Sequence, residues 1–186
     1  NNVNAIVGEY NNIVAYEQTV YIRVEDDASD NDCASQLTLT LIVNDVPQIN
    51  TEPSSLSLCD ENSDGFGIFD LSTGSEELLN GLDPSDFTIT YYEAQDDAEN
   101  ALNAIVTPYN YTNTTAFNQF IWARIENNTT ACYNVGSIEL IINELPILTQ
   151  PSPLNLCDDN NSGDEVEGFT LEDSIGEVLQ GQTGIN

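Results

Sequence analysis

Apolar and polar residues alternate with a period of two along much of this chain. Leu37, Leu39, Leu41 and Val43 alternate with Thr38, Thr40 and Ile42, and Ile138, Leu140 and Ile142 carry the same pattern further on. Val20, Ile22 and Val24 alternate with Tyr21, Arg23 and Glu25, and Ile121, Ala123 and Ile125 with Trp122, Arg124 and Glu126. Successive side chains of an extended backbone point to opposite faces, so each run predicts a strand with one buried face. Two of these strands flank the loop Asp26–Asp32 and two flank Asn127–Thr130, which predicts two hairpins. Phe87–Tyr92 predicts a further strand, with Phe87, Ile89 and Tyr91 on one face; Leu56 with Leu58, and Phe66–Leu71, predict shorter ones. Ser75–Asn80, stopped by Gly81, predicts a short helix capped by Ser75, and Asp96–Leu102 predicts a second.

The pattern recurs. Arg23 returns as Arg124, an offset of 124 − 23 = 101; Cys33 returns as Cys132 and Pro47 as Pro146, both at 99; Cys59 returns as Cys157 at 98. Asn4-Ala5-Ile6-Val7 returns as Asn103-Ala104-Ile105-Val106. A period of one domain length predicts an array. Pro47 and Pro146 follow the last strand of a copy and read as boundaries. Residues 1–46 are then the closing part of one repeat, 47–145 a whole repeat, and 146–186 the opening part of a third. Strands at this spacing fit an all-β fold of tandem β-sandwich repeats of the immunoglobulin or fibronectin kind, with short helical turns.

Charge narrows the partners. The 186 residues carry 32 acidic groups against two arginines, with no lysine or histidine, for a formal charge of −30. Nothing can neutralise a phosphate backbone, which excludes nucleic-acid binding, and an anionic membrane surface would repel the chain. No run of 18 apolar residues exists, so no membrane insertion is expected. Without histidine or lysine, the Ser-His-Asp, Cys-His and Schiff-base routes are closed, and no acid sits in a recognisable catalytic frame; the chain reads as non-enzymatic.

Cys33, Cys59, Cys132 and Cys157 stand at two positions per period, which points to disulfides and an oxidising, extracellular compartment. Zinc is disfavoured, because there is no Cys-x-x-Cys and no histidine. Pairing of Cys59 with Cys132 is favoured, since it makes each repeat self-contained. The other pattern, Cys33 with Cys59 and Cys132 with Cys157, would clamp neighbouring repeats. Asp60, Asn62 and Asp64, followed by Gly65 and Asp70, offer the alternating oxygens of a Ca²⁺ loop, and Asp158, Asn160, Ser162 and Asp164 repeat the alternation. The competing reading of both loops is an Asx-rich turn without an ion.

Arg124 and Trp122 invite a sugar-stacking site, against the blander reading of arginine as a brace between an aromatic ring and a carboxylate. Asn110, Asn113, Asn127 and Asn128 open N-glycosylation sequons, which arise easily in so Asn- and Thr-rich a chain.

The succession Leu58-Cys59-Asp60, Asp64-Gly65, Phe69-Asp70-Leu71, Thr90-Tyr91-Tyr92, Asp97-Ala98, Ile121, Arg124-Ile125-Glu126-Asn127, Cys132, Leu140-Ile141-Ile142 and Pro146 resembles the tandem repeats of very large cell-surface proteins of the Bacteroidota. Those proteins are exported by type IX secretion, and gliding-motility adhesins are among them. The resemblance covers essentially the whole chain. It implies an immunoglobulin-like module of a long adhesin or filament at the cell surface. Its partners would be neighbouring repeats, other copies of the chain, or a surface polysaccharide. It also makes Asp173-Ser174-Ile175 resemble an O-glycosylation acceptor, with Ser174 as the modified residue; the alternative is an ordinary helix start. A glycan-binding sandwich is the alternative function.

Overall fold

In a computed structural model, residues 5–25, 34–50, 52 and 54–184 are described. The described residues form eight strands: β1 (Glu17–Glu25), β2 (Ala34–Ile42), β3 (Ser54–Asp60), β4 (Ile68–Phe69), β5 (Phe87–Tyr92), β6 (Tyr111–Thr112), β7 (Asn118–Asn127) and β8 (Tyr133–Glu144). Three short helices accompany them: α1 (Ser75–Leu79), α2 (Gln95–Asn100) and α3 (Ile175–Leu179). The fold is all-β, as the alternation predicts.

The whole repeat is an open sandwich. One sheet has the order β3-β8-β7-β5, and β4 pairs with β6 in a second, two-stranded layer. β7 runs antiparallel to both of its neighbours, β5 and β8, and the three stand in the order of the C, F and G strands of an immunoglobulin domain. β3 lies parallel on the outer edge of β8, with Ser54 opposite Ile138 and Asp60 opposite Glu144. The core sits between the layers. Ile121, Ala123 and Ile125 of β7 and Ile138, Leu140 and Ile142 of β8 meet Phe69, Leu71, Leu78, Leu79 and Tyr111, all buried.

Three local details differ from expectation. Of Phe66–Leu71 only Ile68 and Phe69 are strand, because Asp70 turns the chain: its carboxylate accepts the Ser72 amide at 3.0 Å and caps a 3-10 turn at Leu71–Gly74. Ser75 therefore does not cap α1; it is the first helical residue, and its hydroxyl bonds the buried Tyr91 hydroxyl instead. Asp96–Leu102 is helical over Gln95–Asn100 and stops at Ala101, which is left-handed at φ 53°.

Outside the whole repeat, β1 and β2 form an antiparallel hairpin in register from Glu17–Ile42 to Glu25–Ala34. The loop carrying Asp26, Asp27, Asp30, Asp32 and Cys33 lies outside the described residues. Residues 147–184 repeat the opening of the whole repeat. A 3-10 turn at Leu171–Ser174 leads into α3, and Thr149 N–H donates to the Val178 carbonyl at 3.1 Å, as Asn50 does to Leu78 at 2.9 Å.

Candidate functional site

The cysteines are placed by strand register. Cys59 is the penultimate residue of β3 and lies opposite Asn143, near the downstream end of the repeat. Cys132 immediately precedes β8, at the upstream end; its thiol lies 3.9 Å from the carbonyl oxygen of Asn44, in the segment that leads in from the preceding repeat. Asn134 strengthens that junction by donating to the Pro47 carbonyl oxygen at 3.1 Å. Cys132 opens into a depression shared with Val46, Tyr133 and Asn134. Cys59 opens into another, with Leu58, Phe66 and Ile68, all exposed apolar residues.

This register overturns the favoured pairing. Cys132 precedes Asn143, the neighbour of Cys59, by 143 − 132 = 11 residues of extended strand. That is about 37 Å at strand rise, whereas a disulfide needs Cα atoms within about 7 Å. The thiols of Cys59, Cys132 and Cys157 are unbridged, and Cys59 and Cys157 are exposed. Cys33 lies outside the described residues.

The two Asp-rich loops are closed by their own hydrogen bonds. Asp60, 1% exposed, accepts the Gly65 amide at 2.8 Å and the Asp64 amide at 3.2 Å. Asp64 accepts the Phe66 amide and the Asn62 side-chain amide, both at 2.8 Å. Ser63 and Gly65 take the left-handed backbone that such a turn requires. Asp70 is spent on its cap and does not join them. Buried Asn113 completes the loop, accepting from Gly67 N–H at 2.7 Å and donating to the Gly65 oxygen at 2.9 Å and the Thr115 oxygen at 2.8 Å. Its sequon amide is therefore fully engaged.

In the third repeat Asp158 accepts amides of Gly163 and Glu165, and Asp164 accepts Val166 N–H at 3.0 Å. Asp164, not Ser162, is thus the counterpart of Asp64; the third loop is longer by two residues. Asn160 belongs to a different contact: its amide, with that of Asp159, donates to Glu167, whose carboxyl is held below the usual range by these two backbone bonds. Among the described residues no three His, Cys, Asp or Glu side chains gather to hold a metal.

Arg124 is a brace. Its guanidinium bonds Glu126 at 2.8 and 3.0 Å, donates to the Ala98 and Glu99 carbonyls in α2 at 3.2 and 3.1 Å, and stacks 3.3 Å over the Tyr133 ring. Burial opposes its charge, but the bonds to Glu126 and Tyr133 outweigh that and raise its pKa. The stacking partner is Tyr133 rather than Trp122, which lies opposite Tyr92 and is half-buried. Four of its five N–H donors are committed to these partners within the domain. Ser174 ends the 3-10 turn before α3, and its hydroxyl donates to the Leu171 carbonyl at 2.7 Å.

One repeated device was not found by motif. Gln119 donates to the Tyr111 hydroxyl at 2.9 Å and accepts from Thr114 N–H at 2.7 Å; Gln18 does the same with Tyr10 and Ile13, both at 2.7 Å. The recurrence of Tyr and Gln at the same offset of 101 was the available signal. No helix among the described residues is long and apolar enough to cross a membrane.

Residues 1–47 and 55–146, about three quarters of the chain, match the family described as the Flavobacterium inter-domain disulphide bond domain. No curated protein and no solved structure matches the chain. The chain belongs to the Flavobacterium inter-domain disulphide bond domain family.

Proposed function

We propose, with that membership as the premise, that this chain is a non-enzymatic structural segment of a long extracellular surface protein. Its repeats are β-sandwiches joined end to end and locked by disulfides between domains. The observation that carries the reading is the placing of one cysteine at each end of the repeat, with Cys132 at 3.9 Å from the incoming segment. A bridge that served one domain's own stability would not be split in this way.

The rest of the chain fits a spacer. A surface charge of −30 opposes collapse of the array on itself and keeps its copies apart in solution. Cysteine bridges persist in an oxidising compartment, in keeping with the resemblance to exported repeat proteins of the Bacteroidota. Adhesion belongs to this reading as the role of the whole protein, with the repeats holding an adhesive part away from the surface. Calcium is not required to close the Asp60 or Asp158 loop, whose carboxylates bond their own backbone.

The test is a thiol count on the intact exported protein, unfolded without reductant. Junction disulfides leave the cysteines of these repeats blocked to maleimide until reductant is added. Reactive thiols throughout would contradict the reading.

A further inference from the structure

We infer that the disulfide register skips forward by one repeat: the Cys59-type residue of each repeat bonds the Cys132-type residue of the next. This rests on the reading above that the cysteines bridge domains. Both cysteines converge on one backbone position. Within the whole repeat, Cys59 lies opposite Asn143. One period earlier, at 143 − 99 = 44, stands Asn44, and its carbonyl oxygen is 3.9 Å from the Cys132 thiol. Carried forward by a period, that contact puts the next repeat's Cys132-type thiol beside Asn143, where Cys59 already is.

The remaining pairings fail by position. Cys132 lies at the upstream end of its repeat, while Cys157, the counterpart of Cys59, belongs to the downstream end of the following one. Cys132 with Cys157 would span two repeat lengths, and Cys33 with Cys59 is the same pairing one period earlier in the sequence. Residues 147–184 do not include the following repeat's Cys132-type residue. The exposed Leu58, Phe66 and Ile68 around Cys59 are the surface against which that part of the next repeat would close.

Bond formation is a thiol–disulfide exchange with an external disulfide oxidant. The Cys59 thiolate attacks one sulfur of the oxidant and expels its other sulfur as a thiolate. The next repeat's Cys132-type thiolate then attacks the Cys59 sulfur and expels the second. One S–S bond forms and the oxidant's S–S bond is reduced. The two protons lost by the cysteines end on the oxidant's dithiol.

This register has a mechanical consequence. Cys132 and Cys157 are separated by 157 − 132 = 25 residues, which run along β8, through the linker and into the opening of the third repeat. That segment passes from the upstream end of one repeat to the downstream end of the next. Fully extended it reaches at most about 90 Å. Two folded repeats occupy about 80 Å, taking the 12 residues of β8 as the length of one. Each tether is thus nearly taut as folded, and disulfides join tethers end to end. A new tether starts in every repeat, so two run side by side at any point. Unfolding a domain would free almost no length.

The test maps disulfides in the intact protein by non-reducing Glu-C digestion and mass spectrometry. The Cys59 peptide is expected linked to a repeat-type peptide from beyond residue 186, and the Cys132 peptide to one from before residue 1. A Cys59→Ser variant of the same protein is expected to expose one new thiol, in the following repeat. Exposure of Cys132 or Cys33 instead would overturn the register while leaving inter-residue disulfides in place, as would covalent dimers of the chain. Free thiols at every position would overturn both the register and the reading it rests on.

Discussion

The β1–β2 hairpin and the β7–β8 hairpin are built on the same sequence pattern, and their apolar faces meet opposite fates. Ile125 of β7 is 0% exposed, whereas its counterpart Val24 in β1 is 61% exposed. Ile138 of β8 is 0% exposed, and its counterpart Leu39 in β2 is 46% exposed. The backbone pairing is equally regular in both, with antiparallel ladders of nine paired residues. Alternation therefore specifies the strand and its register, while burial comes from β3, β5 and α1, which among the described residues accompany only the second hairpin. The third repeat shows the reverse division. Its 3-10 turn and α3 form as they do in the whole repeat, ending on left-handed Gln180 as α1 ends on Asn80. Residues 152–158, the counterpart of β3, form no strand, because β3 exists by pairing with a β8. Helical turns are local; strands here are made by their neighbours.

This contrast can be broken by paired substitutions. Ile138→Ala is expected to destabilise the chain by about 2–5 kcal/mol through lost burial and a cavity, while Leu39→Ala stays within about 0.5 kcal/mol; denaturant unfolding reads both. Equal effects would mean that the first hairpin has a core of its own. Arg124→Ala removes charge-assisted bonds to Glu126 and to α2 and is expected to cost about 1.5–3 kcal/mol. Arg23→Ala removes one exposed ion pair with Glu25, worth under about 1 kcal/mol. Asn113→Ala, which leaves the Gly67 amide without its partner, is expected to cost about 1–3 kcal/mol.

Alkaline pH probes the same domain. Burial pushes the phenols of Tyr91 and Tyr111 above their ordinary range, against the opposing effect of their bonds to Ser75 and to Gln119. The folded chain holds these protons more tightly than the unfolded one. Their contribution is complete below about pH 10 and is lost as pH rises through their raised values. Unfolding midpoints followed by β7–β8 signals should fall above pH 10, and Tyr91→Phe should blunt that fall. The smallest effect concerns the ion: melts in Ca²⁺ and in EDTA are expected to superimpose, and a rise in Ca²⁺ would show that the Asp60 loop takes the ion as well.

Much of the fold was legible because period-two alternation and a period near 99 residues are written in single residues such as Leu140 and Pro146. The arginine's role was legible too, since Arg, carboxylate and aromatic recur together. Its aromatic partner was not, because Tyr133 reaches it from the adjacent strand rather than along its own. The disulfide pairing was misread for a similar reason. Cys59 and Cys132 belong to one repeat, but β3 runs parallel to β8, and parallel pairing sends the two cysteines to opposite ends. Nothing in the composition of a strand tells whether it pairs parallel on an edge. The Asp158 loop misled through its two extra residues, which put Ser162 where the alternation wanted an acid and left Asp164 to make the bond.

The central claim is that a disulfide at each junction makes the array a continuous, nearly inextensible rod. Single-molecule stretching of the intact protein tests it directly. Oxidised, the protein is expected to extend without domain-unfolding steps; in reductant, each repeat of about 99 residues should release about 300 Å of chain. Unfolding steps of that size without reductant would contradict it.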